Sequence, residues 1–418
     1  MLQKVDLEPQ PLEPYAEVIG EERVEALREL ASGLRGLRLA HVSATQFGGG
    51  VAELLRSVVA LERALGVDAE WRLIRGDDDF FEVTKGLHNA LQGGDRKIGR
   101  DERETYLATN RESAELVSDH HDVMIVHDPQ PLALRRFRGR DDAAWIWRSH
   151  IDTSSPDPDA LAFVTPLVDE YDALVFTMPE FVPSEWAGRP AAIIPPAIDP
   201  LSPKNMPLPD DLPERIIRWL GVNPDRPLLT QVSRFDRWKD PLGVIEVYRA
   251  VRDDVPGLQL ALLGSMALDD PEGWGMYDRI RELAGGDPDI HVATNVTGVS
   301  SIEVNAFQRR SDVVMQKSIR EGFGLVVSET LWKSTPVVAG RAGGIPLQMP
   351  EGAGGVLVEA NDPGRYADEV VRLLTDRELG AELGRRGREH VRDRFLVDRL
   401  VADELRLVSR VRSGEPLD

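Results

Sequence analysis

Short apolar runs alternate with amphipathic stretches along nearly the whole chain, and this alternation limits the fold more than any other feature. In the first half the runs are Leu37–Val42, Ala69–Ile74, Asp122–His127, Ala144–Ser149, Ala173–Phe176 and Ala191–Ile194. Stretches of helical periodicity separate them, among them Val51–Leu65, Glu102–Ser118 and Asp159–Glu170. Strands that alternate with helices pair in parallel through helical crossovers, so an α/β architecture is expected. The second half repeats the pattern, with strands at Leu228–Val232, Leu258–Leu263, Ile290–Ala293, Asp312–Met315, Pro336–Ala339 and Val356–Val358. One or two more helices follow from about Arg377 to Arg410.

Between the halves lies PPAIDPLSPKNMPLPDDLP, residues 195–213, with seven prolines. Proline neither donates to a strand ladder nor continues a helix, so this segment reads as a linker. The expectation is a first domain at 1–200, a second at 201–395, and a C-terminal helix at 396–418 that packs back on the first. A chain of 418 residues suits two such domains.

The charge balance narrows the function. With 50 Lys and Arg against 71 Asp and Glu the net charge is −21. Such a surface repels nucleic acid and anionic lipid, so an anionic small-molecule substrate needs a local cationic cluster. There are no cysteines, which removes disulfides, thiolate nucleophiles and zinc–cysteine sites. Neither a secretory h-region nor an apolar span of membrane length appears, so a cytoplasmic location is expected.

In parallel sheets of this type ligands gather at the carboxyl ends of the strands, and the loops there carry the candidate chemistry. Ser43-Ala44-Thr45-Gln46-Phe47-Gly48-Gly49-Gly50 joins a strand to a helix. Its glycines allow backbone N–H groups to approach a phosphate or sugar beside a helix N-terminus; the plain alternative is a tight turn. It lacks the G-x-G-x-x-G spacing and the acidic partner of a dinucleotide fold. Arg234 and Lys239, in Ser233-Arg234-Phe235-Asp236-Arg237-Trp238-Lys239-Asp240, follow the first strand of the second half. Cations there can hold a diphosphate and neutralise it as it leaves; otherwise they are solvated surface charges.

Arg320-Glu321-Gly322-Phe323-Gly324-Leu325 and Glu329 combine a glycine-spaced turn with two carboxylates. That set suits a ligand with hydroxyls at both ends of a diphosphate; the alternative is an acidic helix N-terminus. In the first half, His127-Asp128-Pro129 and Arg148-Ser149-His150-Ile151-Asp152 bring Asp128, His150 and Asp152 to strand ends. Gly340-Arg341-Ala342-Gly343-Gly344 is a further backbone nest. Asp77-Asp78-Asp79 looks like a metal-binding D-x-D but reads better as a solvated loop, and no metal ligand set is visible.

These residues resemble a family. Arg234 with Lys239, then Glu321 and Glu329 with their E-x7-E spacing, resemble the signature of retaining GT-B glycosyltransferases. The segments GGGVAELL, FFEVTKGLHNALQG, HDPQP, HIDTSSP, QVSRFDRWK, DDPEGW and VNAFQRRSD are similar to the trehalose glycosyltransferring synthases. The resemblance implies two Rossmann-like doubly wound parallel-sheet domains facing a cleft, and transfer of glucose from a nucleoside-diphosphate glucose to free glucose, giving α,α-trehalose. It implies that Arg234 and Lys239 bind the donor diphosphate and that Glu321 and the amides of Gly322, Phe323, Gly324 and Leu325 hold the donor glucose. Glu329 would hold the ribose, Asn295 to Gly298 the base, and Gly49 and Gly50 would line the donor. Gln46, Asp128, His150 and Asp152 fall on the acceptor side, with His150 beside the transferring sugar. No cofactor is expected to be required. A magnesium ion on the nucleotide, a homodimer, reversibility and the identity of the base stay open. So do a sucrose- or glucan-forming transferase, a nucleotide-sugar 2-epimerase and a non-enzymatic sugar-binding regulator.

Overall fold

Thirteen strands and their intervening helices build two units in a computed structural model that describes residues 1–417 except 9, 118–119, 140 and 267–270. The expected helix end at Ser118 and the Asp269-Asp270 of DDPEGW lie outside the described residues. The first unit comprises Met1–Pro196 with Val397–Asp418, and the second Ala197–Leu396.

The first unit holds β1 (Gln3–Lys4), β2 (Arg38–Ser43), β3 (Asp68–Leu73), β4 (Val123–His127), β5 (Ala144–Arg148), β6 (Ala173–Phe176) and β7 (Ala191–Ile193). Their order is β1-β3-β2-β4-β5-β6-β7, parallel except for β1. β1 is too short to carry any periodicity, which is why the sequence does not announce it. The inner strands are apolar on both faces because helices cover both: Val123, Met124, Ile125 and Val126 are all buried. The core on one face gathers Phe80, Tyr106, Trp145, Trp147 and Trp186. Trp147 meets Trp186 edge to face at 5.7 Å, and its indole N–H donates to the Asp128 carbonyl, so the polar tip of a large buried ring is satisfied.

The second unit holds β8 (Leu228–Arg234), β9 (Gln259–Ser265), β10 (Ile290–Thr294), β11 (Val313–Gln316), β12 (Val337–Gly340) and β13 (Gly355–Val358). They are all parallel, in the order β10-β9-β8-β11-β12-β13. Apolar clusters cover both faces, one around Leu260, Tyr248 and Val370, the other around Ile217, Ala261 and Phe307.

In each sheet the chain reverses direction of growth at one point, between β2 and β4 and between β8 and β11. A switch point leaves the two loops beside it free to diverge and open a crevice at the carboxyl edge. Those are the loops that carry the sequence candidates.

The proline-rich segment departs from its expected role. Most of it is fastened to the second unit instead of running free. Asn305 Nδ2 donates to the carbonyls of Pro203 and Met206 at 3.0 and 2.9 Å. Lys333 Nζ reaches Asn205 Oδ1 at 2.9 Å. Prolines leave their carbonyls without helical or ladder partners, and here side chains supply them.

Candidate active site

In the second unit the loops after β8 and β11 are tied together by charge. Asp236 caps the turn Arg237–Lys239, accepting from the amides of Trp238 and Lys239. Gln231 Nε2 holds the Lys239 carbonyl at 2.8 Å. The turn thereby aims Lys239 Nζ at Glu321 Oε2, 2.5 Å away. Ser318 Oγ donates to the same oxygen at 3.2 Å, and Ile319 N donates to the Trp238 carbonyl. One residue further on, Asp240 pairs with Lys317 and caps the helix Pro241–Val251 through Gly243 N. Lys239 and Glu321 thus converge as expected. Arg234 does not join them: it stands exposed, 3.3 Å from Asp236.

The turn Glu321–Gly324 is shaped by glycine. Gly324 has φ +82 and starts the helix Leu325–Trp332 with no side-chain cap. Val327 N bonds the Gly324 carbonyl and Ser328 N bonds Gln348, so the amides of Leu325 and Val326 are those that can serve a ligand. Gly343 has φ +48, and a Cβ there would lie 1.7 Å from the Glu321 carbonyl. Gly344 N donates to the Gly322 carbonyl. The segment expected as an open nest therefore serves as a backbone clamp on the Glu321 turn. Phe323 is buried against Phe395, so only its backbone can serve a ligand.

Glu329 is deeper than a ribose ligand read from sequence would suggest. It is buried; its Oε2 accepts from Gln308 at 3.2 Å, and its Oε1 faces Lys204 at 3.6 Å. Asn295 has its side chain engaged at both ends with Met266, accepting from N at 2.7 Å and donating to O at 2.9 Å. It staples the loop after β10 to that after β9, and Gly298 (φ +98) follows in the same turn.

In the first unit Gly48 and Gly49 have φ +68 and +78, and the helix Gly49–Ala64 begins inside the glycine loop without a side-chain cap. Gly49 and Gly50 are exposed. The Gln46 carbonyl accepts from Arg56. Asp128, with φ +63, accepts from His150 N at 2.8 Å and so joins the ends of β4 and β5. Burial pushes its carboxyl up to about 7, against the opposing pull of that amide and Arg148. Asp152 is buried, and Oδ1 accepts from Ser154 N and Oγ. It shapes its own turn.

His150 is the end member of a group the sequence did not reveal. Its Nε2 lies 2.9 Å from His127 Nδ1. His127 Nε2 lies 3.0 Å from His41 Nδ1, and His41 Nε2 lies 3.0 Å from Glu62 Oε2. Arg148, which the spacing allowed to reach a ligand, is instead buried and paired with Glu404 at 3.0 Å. Burial lowers His127 and His150 well below the usual histidine range, helped by the neighbouring Arg148. Burial also pulls on His41, but the Glu62 carboxylate reverses it and raises that ring. Donor atoms of His41, Glu62 and Glu404 lie close enough for a metal ion. Arg148 already supplies the cation to Glu404, so the cluster reads as an ion-pair network. In the sequence His41 sits in an apolar strand and Glu62 in a helix, with nothing to mark them as partners. Asp77 accepts from Phe80 N at 2.9 Å and caps the helix Asp78–Leu91, which explains the acidic run without a metal.

Comparison with known proteins gives the family. Residues 41–183 match the family described as trehalose synthase, N-terminal domain, and residues 214–390 match glycosyl transferases group 1. The chain is 50% identical over 416 residues to a trehalose synthase of Rubrobacter xylanophilus, covering 98% of this chain and 99% of that protein. It is 45% identical over 388 residues to a trehalose synthase of Pyrococcus horikoshii, covering 92% and 93%. Among solved structures, the sucrose-phosphate synthase of Thermosynechococcus elongatus superposes with a TM-score of 0.72 at 19% identity, over 91% of this chain and 100% of that one. Near-complete alignment at half identity leaves no room for a different assignment: this chain belongs to the trehalose synthase family and is a glycosyltransferase of GT-B fold.

Proposed function

We propose that the chain transfers glucose from a nucleoside-diphosphate glucose to free glucose, forming α,α-trehalose with retention at the donor anomeric carbon. The observation that carries this reading is the Lys239–Glu321 pair at the switch point of the second sheet. A cation and a carboxylate held together there suit the two ends of a hexosyl diphosphate: Lys239, with Arg234 swinging in, on the diphosphate, and Glu321 on the sugar hydroxyls. Amides of Gly322 to Leu325 add donors, Glu329 takes the ribose through Oε1, and backbone near Gly298 meets the base. Acceptor glucose is held by His150 and Asp128.

Retention through a covalent intermediate needs a carboxylate nucleophile with a second carboxyl nearby. Front-face substitution fits better, with the leaving phosphate taking the acceptor's proton. Arg234 and Lys239 then act by stabilising the charge that grows on the diphosphate. The reaction needs no resident metal and belongs in the cytoplasm.

The acceptor side favours free glucose over glucose 6-phosphate. Arg148 is spent on Glu404, and the loop from Ser43 to Gly50 carries no cation. The test is incubation with ADP-, UDP- and GDP-glucose and either acceptor, with the disaccharide identified by NMR. Trehalose from free glucose supports the reading; a tenfold or greater kcat/KM preference for glucose 6-phosphate overturns it.

A further inference from the structure

Glu62, His41, His127 and His150 form one unbroken row of hydrogen bonds, from the helix Gly49–Ala64 across β2 and β4 to the loop after β5. The links are 3.0, 3.0 and 2.9 Å. His41 and Glu62 are 0% exposed and His127 1%. In so buried a row each N–H must meet a lone pair, because an unmatched polar atom costs on the order of 1–3 kcal/mol. Each neutral ring has one donor and one acceptor. The row therefore has two self-consistent polarities, and every ring reverses together.

The Glu62–His41 pair decides between them. When it holds one proton beyond an ionised Glu62 and a neutral His41, His41 Nδ1 carries hydrogen. This is so whether the extra proton sits on the imidazole or on the carboxyl. His41 then donates to His127 Nε2, His127 Nδ1 donates to His150 Nε2, and His150 Nδ1–H points outward as a donor. When the pair loses that proton to solvent, His41 keeps hydrogen on Nε2 for Glu62. Both following rings reverse, and His150 Nδ1 becomes an acceptor.

We infer that Glu62, His41 and His127 are positioning residues that set the tautomer of His150, so that one buried proton makes its Nδ1 a donor towards a sugar hydroxyl. The sugar as partner rests on the function proposed above; the tautomer does not.

The surroundings favour the protonated pair. From the C-terminal helix Val397–Ser413, Glu404 faces His41 Nδ1 at 3.6 Å, and its Oε1 has no hydrogen bond. Glu62 and Glu404 both lie beside His41, and Arg148 pairs only with Glu404, so an imidazolium at His41 offsets the carboxylate of Glu62. Arg63 beside Glu62, and Asp403 and Arg399 near Arg148, lie further out, and Asp128 borders His150. The directions agree: His41 is raised, while His127 and His150 are held neutral and can only pass the choice along.

The experiment uses the full-length protein with 15N-labelled histidine and no sugar, read by long-range 1H–15N correlation, with His150 assigned through His150→Asn. The expected result near neutral pH is an Nδ1–H tautomer at His150. On raising pH, His150 should convert to Nε2–H in step with the titration of His41, without becoming charged itself. His127→Phe, which breaks the row at matched size, should move His150 towards Nε2–H and lower kcat about tenfold, leaving KM for donor within about twofold. An Nε2–H tautomer in the unaltered protein at neutral pH, or a His150 tautomer indifferent to His41 titration, overturns the inference. Both of those readings are made on the unaltered protein, with His150→Asn serving only to assign the ring. A protein that shows the coupled tautomer yet makes no trehalose would sink the proposed function and leave the relay standing.

Discussion

Two side chains at the switch point of the second sheet carry the strongest expectation about turnover. On the function proposed, Arg234→Ala and Lys239→Ala should each lower kcat by at least about 100-fold, because each would remove a cation from the charge that grows on the diphosphate. Lys239→Ala also releases Glu321 from its ion pair and should raise KM for the donor as well. Steady-state kinetics on both variants, with unfolding checked in parallel, decide it; an unchanged kcat in folded protein removes either residue from the site. Asp128 makes a separate claim about pH. Its folded value of about 7 lies above the ordinary carboxylate range, so ionisation opposes folding. The stabilising contribution is complete below about pH 4 and is lost as pH rises through about 7, by up to about 4 kcal/mol. Asparagine tolerates the positive φ and keeps the bond from His150 N. Asp128→Asn should therefore be more stable than the unaltered chain at pH 8 and show a smaller fall in Tm between pH 4.5 and pH 8. Parallel pH profiles of Tm would show that the ionised carboxylate is tolerated.

At the scale of elements, most of the fold was legible. The twelve strands after β1 could be read because parallel strands under two helical layers are mostly apolar, a signal that needs no partner to interpret. Their carboxyl ends followed, and with them the loops of Arg234–Lys239 and Glu321–Gly324. What escaped were features that depend on a neighbour: β1, which exists by pairing with β3; the clamp from Gly343 and Gly344; and the fastening of the proline-rich segment by Asn305 and Lys333. The acidic run at Asp77 shows the same limit, since its meaning rests on which amide it caps. Asp77→Ala should cost about 1 kcal/mol of stability, the usual loss for an N-cap, with kcat and metal response unchanged. A loss of activity restored by a divalent cation would revive the metal reading.

For the molecule as a whole, the return of the C-terminal helix Val397–Ser413 to the first unit is a matter of buried charge. It brings Glu404 to Arg148, both almost wholly enclosed. Removing one partner of such a pair strands the other, at a cost of about 3–5 kcal/mol. Glu404→Gln should accordingly lower the urea midpoint of the first unit markedly, whereas the double replacement Arg148→Met with Glu404→Met should recover much of it. Additive losses in the double variant would mean that the pair is not the source of the effect. By itself, the sequence determined the two α/β units, their strands and the places where ligands gather, because hydrophobic periodicity and glycine and proline positions act locally. Only the tertiary structure decided which charges are free and which are spent. Arg148, Asp152 and Asn295 look available in the sequence and are occupied in the fold. His41, Glu62 and Glu404 look unremarkable and prove to be one buried cluster, joined through His127 to His150. Whether a side chain faces a ligand or a neighbour depends on residues far away in the chain, and burial makes that choice by charging a penalty for every polar group left unmatched.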